Sequence, residues 1–307
     1  MINKPLKLFF IINPGAGNSK TDWKKEISNY FSGKSHVIDQ FELPNPCDKG
    51  AISEKIRQSG ADRIIAVGGD GTLKLVAEIL QGTDTPVGLL PAGSANGMAG
   101  ELGIPDDPVK AIDITIGEYS KKIHLVKINN ELCIHLSDIG FNAFVVKKFE
   151  DAGVRGMWGY TKAAWRVLWD HNRMQIDIAI EPPKENTASN IRTKENIKYI
   201  RRDAAMVVIA NATKYGTGVL INPEGKLDDE LFEVIIVKKI SLSEIFKMRF
   251  THRPYHPDKT ELITTRSLKI NSRHHVHFQV DGEYLGKTKI INASIIPHTL
   301  RMLMPEQ

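Results

Sequence analysis

The pentapeptide Gly68-Gly69-Asp70-Gly71-Thr72 constrains this chain more than any other stretch. It directly follows the apolar run Arg63 to Val67. It directly precedes Leu73, Val76, Ala77 and Leu80, an apolar stripe at helical spacing. A buried strand that passes through glycines into a helix is one unit of a parallel sheet. Glycines there let the backbone approach a ligand closely and turn its N–H groups toward it. The following helix adds its positive N-terminal end, so the segment suits a polyphosphate. Asp70 does not bind phosphate directly, but it can hold Mg²⁺ or its water. Thr72 is expected to cap the helix and to offer its hydroxyl to a phosphate. The Gly-Lys-Ser/Thr ending of a P-loop is absent. Taken alone, the segment also reads as a tight β-α turn.

The same alternation runs through the first 120 or so residues. Strands are expected at Lys7 to Ile12, Val37 to Phe41, Arg63 to Val67 and Pro86 to Leu90. Helices are marked by Trp23, Ile27, Tyr30 and Phe31, by Ile52 and Ile56, and by the stripe after Thr72. This order predicts a parallel, doubly wound sheet. Two more glycine-rich loops follow strands in the same half: Asn13-Pro14-Gly15-Ala16-Gly17-Asn18-Ser19 and Pro91-Ala92-Gly93-Ser94-Ala95-Asn96-Gly97-Met98-Ala99. In a doubly wound sheet such loops share the carboxyl edge, where ligands bind. Each alone is a turn; the coincidence of three points to a backbone-rich cleft.

The pattern changes after residue 120. Lys122 to Ile128 and Leu132 to Leu136 flank Asn129-Asn130, a two-residue hairpin turn. Further strands are expected at Gln175 to Ile180, Ala205 to Ala210, Phe232 to Val237, Ser267 to Ile270, Val276 to Val280 and Lys289 to Ile296. Short strands with turn signals between them predict an antiparallel sandwich or barrel. Pro182 to Lys198 is polar and reads as an exposed loop. The expected organisation is an α/β domain over residues 1–120 and an all-β domain over 121–297. The tail 298–307 is a candidate to return to the first domain.

Composition narrows the function classes. Of 307 residues, 41% are hydrophobic and 25% charged, which excludes a disordered polymer or a small disulfide-stapled scaffold. A formal charge of +5 fits a phosphate-bearing ligand or an anionic surface and is too weak to argue for nucleic acid. Two cysteines, Cys47 and Cys133, stand in no metal or redox spacing, and the first residues lack an apolar signal region. A cytoplasmic protein is therefore expected, peripheral at a membrane if attached at all.

Asn13-Pro14-x-x-Gly17, Gly68-Gly69-Asp70-Gly71-Thr72 and Pro91-x-Gly93-Ser94-x-Asn96 occur in this order and spacing. With them the chain resembles the diacylglycerol kinase and sphingosine kinase catalytic-domain family, in its bacterial soluble lipid-kinase form. The similarity continues through Gly140-Phe141, Asn211-Ala212, Tyr215-Gly216-x-Gly218, Asp228-Asp229 and Asp281-Gly282-Glu283. The resemblance implies ATP- and Mg²⁺-dependent phosphorylation of a lipid hydroxyl. It implies an NAD-kinase-like first domain, a β-sandwich second domain and an active site in the cleft between them. The implied nucleotide contacts are Asn13 to Gly17, Gly68 to Thr72, Ser94 and Asn96. The family's Thr after the second strand is replaced here by Phe41-Glu42-Leu43.

Asp281-Gly282-Glu283 matches the family segment that holds the catalytic base. Either carboxylate is able to accept the hydroxyl proton, and the sequence does not separate them. As a bare tripeptide it is a hairpin turn. Asp228-Asp229-Glu230-Leu231 matches the family's segment for a structural Mg²⁺. The implied ligands are the Asp229 carboxylate and the carbonyls of Lys226 and Leu231, with Asp228 beside them. Glu230 stands where the family has Gly, and Glu does not copy a positive φ cheaply, so either the loop differs or the site is altered. Trp158, Trp165 and Trp169 share a helical face next to Lys162, Arg166 and Arg173, as in a helix that grips a membrane interface or packs on the sandwich. His274, His275 and His277 lack the further ligands of a zinc site. The implied partners are a lipid substrate and a membrane surface, with room for a homodimer. The rival readings are a small-molecule kinase of NAD-kinase type and a nucleotide- or lipid-binding regulator without turnover.

Overall fold

The computed structural model describes residues 4–17, 21–141, 143, 173–181, 197–214, 220–240 and 256–306. They fold into two compact units, residues 1–124 with 297–307, and residues 125–296. No helix among the described residues is long and apolar enough to cross a membrane. The helix proposed around Trp158, Trp165 and Trp169, the Tyr215-Gly216-x-Gly218 element and most of the polar stretch after Glu181 lie outside the described residues.

The first unit runs β1 (Lys7–Ile12), α1 (Trp23–Phe31), β2 (Val37–Glu42), α2 (Lys49–Ser59), β3 (Arg63–Gly68), α3 (Asp70–Leu80), β4 (Pro86–Pro91), α4 (Gly97–Glu101) and α5 (Pro108–Ile116). The strands pair in parallel in the order β2-β1-β3-β4. Runs such as Leu8 to Ile11 and Ile64 to Val67 are buried on both faces, as a helix-covered parallel sheet requires. Helices α1, α2 and α5 begin on side-chain caps: Asp22 accepts from Lys25 N, Asp48 from Gly50 N and Ala51 N, and Asp107 from Lys110 N. Helices α4 and α5 were not expected from the sequence. Asp107 followed by Pro108 at the first helical position was the available signal for α5.

The second unit is antiparallel. Its elements are β5 (Ser120–Ile128, entering from the first unit), β6 (Glu131–Cys133), β7 (Leu136–Gly140), β8 (Met174–Glu181), β9 (Lys198–Ala204), β10 (Met206–Ala210), β11 (Phe232–Val237), β12 (Thr260–Thr265), β13 (Ser267–Val280) and β14 (Glu283–Leu303). One layer is ordered β12-β11-β10-β7-β13, and β9-β8 joins the other end of β13. A register shift between Asn271 and Val276 lets β13 pair with β8 through Ser267–Ser272 and with β7 through Phe278–Val280. Ile176, Ile178 and Ile180 of β8 thereby pack with Val207, Ile209, Val234 and Ile236 in a shared sandwich core. Ser267 to Ile270 and Val276 to Val280 are thus one bulged strand rather than two, and Leu132 to Leu136 divides between β6 and β7. Strand β14 ends in the first unit, where Arg301 and Met302 pair in parallel with Pro86 and Val87.

Candidate functional site

In the first unit the three glycine-rich loops are bonded to one another. Asn13 lies at the end of β1; its Nδ2 donates to Thr72 Oγ1 at 3.0 Å and its Oδ1 accepts from Gly15 N at 3.0 Å. Gly17 has φ +61°, and a Cβ there would stand 2.8 Å from the Ala92 carbonyl oxygen. Gly93 lies closer still to the second loop: a Cβ would stand 2.4 Å from Gly69 Cα. Only glycine permits that approach. Gly93 N donates to Asn96 Oδ1 at 2.8 Å, and Asn96 takes φ 50° to open α4. Pro14, Gly15 and Ser94 are exposed on this surface, and Ala16 is half-buried beside them.

Asp70 joins the second and third loops. Its two carboxylate oxygens accept from Gly97 N at 2.9 Å and Met98 N at 2.8 Å, capping α4 from another element. The carboxylate expected to hold Mg²⁺ thus has a structural task. Thr72 does not cap α3, because the helix starts one turn earlier. Its N-cap is Gly69, which offers no side-chain acceptor. Thr72 is 3% exposed, with its hydroxyl turned to Asn13. Helix α3 therefore opens on amides with no side-chain cap, beside close-packed glycine backbone, which is the environment an anionic polyphosphate satisfies. Gly71 is exposed with open space around it, so the crowding is at Gly69 rather than Gly71. At the end of β2, Glu42 pairs with Lys24 instead of presenting a hydroxyl.

In the second unit Asp281 and Glu283 have different surroundings. Asp281 takes φ 51°, and its carboxylate accepts from Ile134 N at 3.1 Å, His135 N at 2.9 Å and Leu136 N at 3.2 Å. Its own N–H donates to the Leu136 carbonyl at 2.8 Å. Asn211 buttresses the receiving segment, donating Nδ2 to the Ile134 carbonyl at 3.0 Å. Glu283, at the start of β14, is exposed. The sequence did not mark Asp138 or Gln279, both buried under this turn. Polar residues inside the apolar runs Leu136 to Gly140 and Val276 to Val280 were the available signal.

The acidic loop keeps the backbone that glycine would favour. Glu230 adopts φ 60°, and its carboxylate is tied to Arg266. Asp229 Oδ1 accepts from Leu231 N at 3.0 Å, leaving the other carboxylate oxygen and the carbonyls of Lys226 and Leu231 as the expected donors. An all-oxygen set suits Mg²⁺, so the residues fit the ion. Glu233 is 5% exposed nearby and accepts from Asn222 Nδ2 at 2.7 Å. Burial raises its pKa, the Asn222 bond opposes that, and the Asp229 and Glu224 charges add to it. Among the described residues no group of three or more His, Cys, Asp or Glu side chains comes together as a metal site. His274 and His275 are exposed, while His277 Nδ1 lies 2.8 Å from Tyr284 Oη.

Comparison with known proteins covers both units. Residues 7–128 match the family model described as the diacylglycerol kinase catalytic domain. Residues 137–304 match the YegS C-terminal NAD kinase beta sandwich-like domain. A protein named diacylglycerol kinase from Mycobacterium tuberculosis is 25% identical over 256 residues, 80% of this chain and 78% of its own. A probable lipid kinase YegS-like protein from Chromohalobacter salexigens is 24% identical over 269 residues, 83% of this chain and 80% of its own. The crystal structure of a putative diacylglycerol kinase from Bacillus anthracis superposes with a TM-score of 0.72 at 19% identity, covering 97% of each chain. That last likeness concerns the fold.

Proposed function

Since the chain belongs to the family that joins a diacylglycerol kinase catalytic domain to a YegS-type C-terminal domain, we propose that it transfers the γ-phosphoryl group of ATP to a hydroxyl of diacylglycerol or a related lipid. Membership of a kinase family carries the phosphotransferase class.

The observation that carries the nucleotide assignment is the crowded loop pair. Gly69 and Gly93 meet where a Cβ would stand 2.4 Å from backbone, beside a helix that begins without a side-chain cap. In this reading the amides at Gly69 to Gly71 and the backbone of Asn13 to Gly17 cradle the phosphates. Ser94 and Asn96 border them, and Thr72 keeps Asn13 in place. Asp70 holds the second and third loops together. Phosphoryl transfer asks for alignment, neutralised charge and a group to take the acceptor's proton. Glu283 is that base in our reading, because its carboxylate is exposed. Asp281 serves as the fastener of the turn, because its oxygens accept three backbone amides. A Mg²⁺ accompanying the nucleotide would neutralise phosphate charge, and a second, structural Mg²⁺ would be held in the acidic loop by Asp229 with the carbonyls of Lys226 and Leu231. Asp228 adds negative charge beside them. Because the acceptor carries an acyl tail, the protein works at a membrane surface, on the cytoplasmic side.

The test is ATP consumption and lipid labelling across diacylglycerol, a sphingoid base and phosphatidylglycerol, comparing the unaltered protein with Asp70→Ala and Glu283→Ala. Labelling of one lipid, lost in both variants, is expected. ATP binding with no lipid labelled would favour the regulator reading.

A further inference from the structure

Two buried polar side chains sit beneath the Asp281-Gly282-Glu283 turn. Asp138 of β7 and Gln279 of β13 lie directly opposite each other in the antiparallel pair and are 1% and 2% exposed. Their strand neighbours, Ile139, Phe278 and Val280, belong to the apolar core. Gln279 Nε2 donates to Asp138 Oδ2. The other end of the same amide, Oε1, accepts from Gly282 N at 2.7 Å. Ser137 Oγ donates to the Gln279 carbonyl at 2.7 Å.

Donor and acceptor chemistry makes this an oriented relay. A carboxylate only accepts and a backbone N–H only donates, so one amide orientation alone satisfies both partners. Asp138 decides which way Gln279 points, and Gln279 fixes the Gly282 peptide. The next residue is Glu283. Two opposed apolar side chains would pack this site at no desolvation cost, whereas burying a carboxylate is costly unless it is hydrogen-bonded. Asp281 already anchors the other side of the turn. A second, oriented anchor adds control over where the following carboxylate stands.

We propose that Asp138 and Gln279 are positioning residues that hold the Gly282 peptide, and through it the Glu283 carboxylate, in the place from which the acceptor's proton is taken. The inference rests on the reading of Glu283 as the base.

The experiment is a polarity swap. Gln279→Glu sets a second carboxylate against Asp138; Asp138→Asn with Gln279→Glu restores one donor facing one acceptor, with the roles reversed. Each is measured with Glu283 present and with Glu283→Gln, reading kcat, both KM values and thermal melting. With Glu283 present, Gln279→Glu lowers kcat at least about tenfold while both KM values stay within about twofold, the signature of an interaction used in the transition state. The swap returns kcat to within about threefold. With Glu283→Gln, Gln279→Glu causes no further loss. Gln279→Met, of similar volume and without either polar end, replaces Gln279→Glu if melting shows that variant unfolded. An undiminished kcat in the Gln279 variants, or an equal loss with and without Glu283, overturns the inference while leaving the lipid-kinase reading intact. An unaltered protein that labels no lipid, or a fully active Glu283→Gln, overturns the base reading and this inference together.

Discussion

Asp281 holds a left-handed backbone angle that costs an L-residue about 1 kcal/mol. Three backbone amides on its carboxylate offset that cost. Asp281→Ala removes the acceptor and strands those amides, so urea unfolding of the second unit should show a loss of about 3 kcal/mol. Glu283→Gln, at an exposed position, should leave stability within about 0.5 kcal/mol and lower kcat about a hundredfold or more. The sequence alone left these two carboxylates equivalent, because what separates them is contact with Ile134 to Leu136, about 145 residues away. Glu230 shows the converse. Glutamate in place of the family's glycine pointed to a changed loop or an altered site, yet the chain keeps the left-handed angle, with Arg266 holding the side chain. Glu230→Gly should therefore be more stable than Glu230→Ala by about 1 kcal/mol, since both lose the ion pair and only glycine relieves the angle. Glu233 supplies a pH test. Burial raises its folded pKa above the unfolded value, so its neutral form is favoured by folding. That contribution is present in acid and is lost as pH rises through the raised value. Glu233→Gln should gain stability relative to the unaltered protein at neutral pH and lose that advantage below about pH 4, as read from urea midpoints across the range.

At the scale of elements, the parallel half was legible because β3 and β4 end on Gly68 and Pro91 and because α1, α2 and α3 show apolar stripes. Trp23, Ile27 and Phe31 are all buried on one face of α1, as their spacing predicts. The antiparallel half was harder. Strand β9 carries Tyr199, Arg201 and Asp203 outward with a half-buried Arg202 between them, so little apolar alternation marks it. The polar run Asn271 to His275 reads as a turn, yet a register shift carries β13 through it to a second partner. Thr72 read as a cap because Ser and Thr favour that role, but the close approach of Gly69 and Gly93 starts the helix earlier. That approach has a direct consequence. Gly93→Ala places a methyl group against Gly69 backbone, so the two loops must separate. Nucleotide affinity should fall at least about tenfold by calorimetry, about 1.4 kcal/mol.

Across the whole chain, the order of short motifs carried more than any one of them, which is why family membership was legible when each glycine loop alone was a turn. Charge and composition excluded classes without choosing one. The tail contributes to the first unit through pairing that sequence periodicity does not reveal: Arg301 and Met302 lie beside β4, and Leu300, Met302 and Leu303 are each no more than 2% exposed. Ending the chain after Ile296 would remove three side chains worth about 1.5–3 kcal/mol each and bare the β4 edge. The shortened protein should melt well below the full chain or accumulate as aggregate. Transfer of label from γ-³²P-ATP into an organic-phase lipid, with bound nucleotide measured in parallel, separates phosphoryl transfer from binding alone. A labelled lipid is expected with the unaltered protein and labelling slower by about a hundredfold or more with Glu283→Gln, at equal nucleotide binding. Equal lipid labelling by both proteins, or none by the unaltered protein across the panel, would contradict that expectation.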